Sequence, residues 1–131
     1  MKPNSDVVRS FDPKFFRWTN GTEEHGSKKE MRIRIYKQGT IFISSLAAKK
    51  FAEHTSMTEG GFYRAEIGIA KKAIAIRPLP PEESGYRFRP SKAGGLVASC
   101  SKLVKTLEWD LPLVAVASWD ERHKMLVAKI G

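Results

Sequence analysis

The chain has 131 residues and a mass of 14.7 kDa, with 41% hydrophobic and 28% charged residues, a globular rather than a disordered balance. No apolar run approaches the ~20 residues that span a bilayer, and the N-terminal Met1-Lys2-Pro3-Asn4-Ser5-Asp6 leads into no signal-peptide core, so a cytoplasmic location is expected. A single cysteine, Cys100, excludes an intramolecular disulfide or a Cys-rich metal framework, whereas a net charge of +9 favours a polyanionic partner.

The charge is unevenly distributed. Residues 1–30 carry six basic and five acidic groups, residues 31–80 nine and three, and residues 81–131 eight and six. The excess therefore belongs to the folded part and not to a basic arm.

Residues 1–30 form an aromatic and polar segment, in which Phe11, Phe15, Phe16 and Trp18 are expected to dock on the body or to serve as a partner surface. From Met31 the alternation is plain, with Ile33 and Ile35 on one face and Arg32 and Arg34 on the other, the pattern of a half-buried strand. Gly39 supplies a tight turn, and Ile41-Phe42-Ile43 resumes a strand. Ser44 or Ser45 is placed to cap a helix over 46–53. A hairpin is predicted from Tyr63 to Ile76, turning at Ala70-Lys71-Lys72. The run Pro78-Leu79-Pro80-Pro81 is expected to end all regular structure, leaving residues 80–85 as a stiff linker.

After that linker the pattern begins again. Arg32-Ile33-Arg34-Ile35-Tyr36-Lys37-Gln38-Gly39 is answered by Arg87-Phe88-Arg89-Pro90-Ser91-Lys92-Ala93-Gly94, so both halves read Arg-x-Arg-x-x-Lys-x-Gly. Ile41-Phe42-Ile43-Ser44 is matched by Leu96-Val97-Ala98-Ser99. A second helix is predicted over 102–109, then a hairpin from Leu113 to Ile130 turning near Asp120-Glu121-Arg122-His123. The expected fold is β-rich α+β: two pseudo-symmetric β-β-α-β-β units, residues 31–79 and 86–131, joined in one small barrel-like domain.

A unit of strand, glycine turn, short strand, helix and hairpin resembles the AbrB and MazE swapped-hairpin family of DNA-binding domains, and its tandem form is similar to MraZ-type proteins. The resemblance covers residues 31–79 and 86–130. It implies an interlocked β-barrel, association of two or more chains, and DNA as the partner.

The residues point the same way. Arg32 and Arg34, with Arg87 and Arg89, lie on the polar faces of the two strands, and Lys37 and Lys92 lie at the glycine turns. Related by a pseudo-twofold axis, they would present two matching arrays of cations to phosphates, which arginine binds in bidentate fashion with release of counterions. Lys49, Lys50, Arg64, Lys71, Lys72 and Arg77 would extend the arrays. The competing reading is a solvated strand face whose arginines pair with Glu66 or another carboxylate. For a single-stranded target, Trp18, Tyr36, Phe42, Tyr63, Tyr86 and Phe88 are the candidate stacking platforms. A protein-interaction or assembly subunit is the alternative function.

No catalytic, cofactor or metal site is expected. His25, His54 and His123 have no metal-ligand spacing, and Gly60-Gly61 and Gly94-Gly95 lack the lysine of a phosphate loop. Cys100, at the predicted start of the second helix, reads as a small cap residue, although a helix dipole there could lower its pKa.

Overall fold

The computed structural model describes residues 30–92 and 94–130. Ten elements follow in chain order. They are β1 (Met31–Ile35), β2 (Thr40–Ile43), α1 (Ser45–His54), β3 (Tyr63–Ala70), β4 (Ala73–Leu79), β5 (Tyr86–Pro90), β6 (Leu96–Ser99), α2 (Ser101–Val104), β7 (Leu113–Asp120) and β8 (Met125–Lys129). All strand pairs are antiparallel, and the strands close a barrel in the order β1-β2-β6-β5-β3-β4-β8-β7. The fold is thus β-rich, with two short helices.

Strand periodicity fills the barrel. Alternate residues point inward, placing Ile33, Ile35, Ile41, Ile43, Ile74, Ile76, Phe88 and Leu126 inside with no exposed surface. Alanines at 65, 98, 115, 117 and 128 offset these large side chains. An eight-stranded barrel leaves an interior just wide enough for such side chains, and mixing sizes lets them interlock.

Helix α1 joins this core through Ala47 and Phe51, both fully buried. The Phe51 ring meets Tyr63 edge-on at 6.0 Å and Phe88 at 5.8 Å. Ser44 occupies the N-cap position, but its hydroxyl makes no cap bond. Instead it accepts from the Arg32 amide at 2.9 Å, tying the start of α1 to β1.

Two local expectations are corrected. Strand β4 runs through Pro78, which lies opposite Ala65 of β3, to Leu79. Pairing of β4 with β8 stops at Ile76, so the proline occupies a stretch with no neighbour on one side, where a missing N–H is tolerated. The second helix is a single turn, not the expected 102–109. Beyond Val104 the chain tightens into i→i−3 bonds, with Thr106 and Leu107 amides donating to Leu103 and Val104 carbonyls at 2.9 and 3.1 Å. The Trp109 indole then donates to the Lys71 carbonyl at 3.0 Å, drawing this segment to the β3–β4 turn.

The turns expected at the two glycines are present. Gly39 and Gly94 have φ of +111° and +97°, a region that L side chains rarely enter. Gly39 is also crowded, since a Cβ there would lie 2.6 Å from the Ser101 Cα.

A candidate nucleic-acid interface on one wall of the barrel

The alternation that buries Ile33, Ile35 and Phe88 turns Arg32, Arg34, Arg87 and Arg89 outward. Strands β1 and β5 are not neighbours; β2 and β6 lie between them. Strand register nevertheless aligns Arg34 with Phe42, Phe42 with Val97, and Val97 with Arg89. One row across four strands therefore runs arginine, phenylalanine, valine, arginine, and three strand spacings separate its ends by about 14 Å along the wall. Beyond β5 the wall continues onto β3, where Arg64 stands directly opposite Arg87.

The arginines differ in their partners. Arg32 is neutralised by Glu30, which accepts from its Nη2 at 2.9 Å and its Nε at 3.2 Å. Arg34 lies 6.0 Å from the centre of the Phe42 ring, and its Nε is buried without an acceptor. Arg64, Arg87 and Arg89 converge on a single ring, that of Phe62, at 4.9, 5.3 and 5.4 Å. Arg64 donates from Nη1 to the Gly85 carbonyl at 3.1 Å, and its Nε has no acceptor.

Among the described residues, no carboxylate pairs with Arg34, Arg64, Arg87 or Arg89. Glu66 pairs instead with Arg77 on β4, away from the row. A ring face attracts each guanidinium by about 0.5–1 kcal/mol at an exposed site. Like charges set opposite each other across a ladder work against that attraction.

The lysines stand at the two rims of the barrel and not on the wall between them. Lys37, in the β1–β2 turn, shares one rim of the barrel with Lys71 and Lys72, whereas Lys92, in the β5–β6 turn, lies at the opposite rim with α1. On α1, Lys49 is exposed and Lys50 sits 3.5 Å from Glu53. The two arginine strands differ in their flanks: β1 is flanked on β7 by Val114 and Val116, and β5 is flanked on β3 by Arg64.

Of the aromatic candidates, Tyr63 and Phe88 are core residues, Phe42 lies on the outer wall, and Tyr36 and Tyr86 are half-buried. Trp18 and the Phe11–Trp18 patch, like His25, lie outside the described residues. Phe62 was not among the expected site residues. Its signal was its spacing from Arg64, which puts both side chains on one face of an extended segment.

Two clefts flank Arg87. One, of about 540 Å³, lies between β5 and β6 and is bordered by Thr40, Tyr86, Arg87, Arg89 and Ser99. The other, of about 590 Å³, is bordered by Thr58, Glu59, Phe62, Arg64, Glu82 and Arg87.

The remaining polar chemistry is local. Burial pushes the Cys100 thiol up to about 11 from its ordinary 9.0, so the dipole effect considered for it is overridden. Its neighbour α2 is only four residues long. His54 stacks on Trp119 with ring centres 4.8 Å apart, and His123 hydrogen-bonds Asp120 at 3.0 Å across the β7–β8 turn. That bond holds the Asp120 carboxyl below its ordinary pKa, and Lys124 does the same for Glu121. No group of three or more His, Cys, Asp or Glu converges as a metal site among the described residues.

No family model matches the chain. Neither a curated protein nor a solved structure matches it.

Proposed function

We propose that the protein binds nucleic acid, duplex DNA in the first instance, through the wall formed by β1, β2, β6, β5 and β3, and that it acts without a cofactor as a DNA-binding regulator. The observation that carries this reading is the row Arg34–Phe42–Val97–Arg89, whose two arginines, with Arg64 and Arg87 beside them, have no carboxylate partner among the described residues. Guanidiniums without a carboxylate partner, on an uncharged floor, are what a phosphate backbone requires. The cytoplasm is the compartment in which such a protein would work, and no helix among the described residues is long and apolar enough to cross a membrane.

The relation to AbrB-type domains belongs to the same proposal, as does descent from a duplicated unit. Three features support duplication. Strands β1 and β5 begin 55 positions apart, at Met31 and Tyr86. Their turns have matching bonds: Tyr36 and Ser91 amides donate to Thr40 and Gly95 carbonyls at 2.9 and 2.8 Å, and Gly39 and Gly94 amides donate to Tyr36 and Ser91 carbonyls at 3.0 Å. Exchanging β1–β4 for β5–β8 leaves the strand order of the barrel unchanged.

The test is fluorescence anisotropy with labelled duplex DNA, single-stranded DNA and RNA over a salt series. If Arg34, Arg64, Arg87 and Arg89 each neutralise one phosphate, log K falls with log salt at a slope of about −3.6, or about 150-fold between about 50 and about 200 mM. Arg34→Glu with Arg89→Glu is expected to abolish binding. A flat salt response, or no binding at low salt, rejects the proposal.

A second reading, an assembly subunit, is favoured by one observation. Val114 and Val116 are 58% and 61% exposed, side by side on the outer face of β7. Light scattering of the wild type and of Val114→Lys with Val116→Lys separates the two. A dimer dispersed by the lysines, with nucleic-acid binding absent in both forms, selects assembly.

A further inference from the structure

The two ends of the arginine row are chemically different, and the difference defines a site. On β1 the second cation, Arg32, is occupied by Glu30, and the flanking strand offers valines. At β5, three guanidiniums surround one ring without a carboxylate partner among the described residues, and two of them, Arg64 and Arg87, face each other across the β3–β5 ladder. Placing like charges opposite one another is unfavourable unless an anion lies between or above them.

The surroundings are those of an anion seat. Arg64 Nε and Thr58 Oγ1 are both buried without a hydrogen-bond partner, and both residues border the cleft beside Arg87. On the other side, β5 and β6 pair only at Arg89 with Val97 and at Pro90 with Leu96. Toward Tyr86 the two strands part, and the cleft between them brings the hydroxyl-bearing Thr40 and Ser99 to the same two arginines, Arg87 and Arg89. Glu59 and Glu82 border the Arg64 side only, whereas no carboxylate borders the β5–β6 cleft. Arg87 borders both clefts, Arg64 one and Arg89 the other, and all three guanidiniums lie within 5.4 Å of the centre of the Phe62 ring between them.

We propose that Arg64, Arg87 and Arg89, gathered over Phe62, form a discrete phosphate-binding site that prefers a terminal phosphomonoester to a bridging diester. A phosphomonoester carries a charge of about −1.5 to −2 at pH 7 and three free oxygens, enough for each guanidinium to take one in a charge-assisted bond. A diester offers one charge and two free oxygens. The proposal deepens the nucleic-acid reading only in naming which phosphate of a strand is held; the site itself needs no nucleic acid, because a free phosphate has the same chemistry.

Two measurements on the full chain test it and distinguish the sources of the phosphate. In the first, arginine Nε–H resonances are followed while inorganic phosphate is added at constant ionic strength. Arg64, Arg87 and Arg89 are expected to shift together with a Kd on the order of 1 mM, and Arg32 to stay in place. In the second, anisotropy compares duplexes of one sequence with a 5′-phosphate or a 5′-hydroxyl, the dye on the far end. The phosphorylated duplex is expected to bind at least about fivefold tighter, and Arg87→Gln with Arg89→Gln to erase the difference.

Arg64→Lys keeps the charge and removes the fork, so it weakens the phosphate response while the protein still melts in one cooperative transition. A response to inorganic phosphate with neither duplex bound upholds the site and removes the nucleic-acid reading. Equal binding of the two duplexes, with no selective arginine shift, overturns the site and leaves that reading standing. Uniform movement of all arginines marks ionic screening and overturns it too.

Discussion

Truncating Phe51 to alanine tests the architecture on which the arginine wall depends. The ring has no exposed surface, and it is the large buried side chain by which α1 enters the core, edge-on to Tyr63 and to Phe88. Removing a buried phenylalanine costs about 3–5 kcal/mol once the cavity is included, and within that sum each aromatic pair contributes about 0.5–1.5 kcal/mol. Native domains of this size have a total stability of about 5–15 kcal/mol, so the variant should fold with a much reduced margin. Urea unfolding followed by circular dichroism reads the loss directly: with a slope near 2 kcal/mol per M, the midpoint should fall by about 2 M. Phe88 lies between Arg87 and Arg89 on β5, so the cavity also loosens the strand that carries two of the site cations. A fall of under about 0.5 M would mean that α1 is not anchored in the barrel as described, and would refute the reasoning.

Other consequences are equally open to measurement. Gly39→Ala should destabilise more than Gly94→Ala, by at least about 1 kcal/mol in chemical denaturation, because both adopt positive φ but only the first puts its new methyl against backbone. At Gly94 the nearest atom to such a methyl is the Ser45 Cβ at 3.5 Å, so equal losses would contradict this account. Cys100, with its pKa near 11 instead of 9.0, should hold about a hundredfold less thiolate at pH 8 than an ordinary cysteine, and alkylation should be correspondingly slow until denaturant is added. Fast labelling of the native protein would show that the thiol is not buried. The Asp120 carboxyl is held below its ordinary 3.8 by His123, so its contribution is complete above that value and is lost as pH falls through the lower, folded one. Asp120→Asn should therefore lower stability at neutral pH and leave it unchanged well below pH 3.8, which flattens the acid limb of the profile; a variant whose melts fall equally at both pH values excludes this.

Much of the local structure is legible in the residues. Alternation along Arg32-Ile33-Arg34-Ile35 is enough to place isoleucines inside and arginines outside, because successive side chains on a strand point to opposite faces. Gly39 and Gly94 mark turns for an equally local reason, the backbone conformation that glycine alone adopts freely. Local signals misled where a neighbour outweighed them. Pro78 reads as a strand breaker, yet β4 continues through it beside β3; Trp109 reads as helical, yet its indole is drawn to the Lys71 carbonyl.

What pattern cannot specify is which strand lies beside which, since periodicity assigns a face and not a partner. The chain by itself determined that four arginines on β1 and β5 would face outward. Only closure of the barrel decided that β2 and β6 separate those strands, that Lys37 and Lys92 go to opposite rims, and that β3, with Phe62 just before it, brings Arg64 to Arg87 and Arg89. Those neighbours are far apart in sequence, and they meet because inward-facing side chains from all eight strands must be buried together.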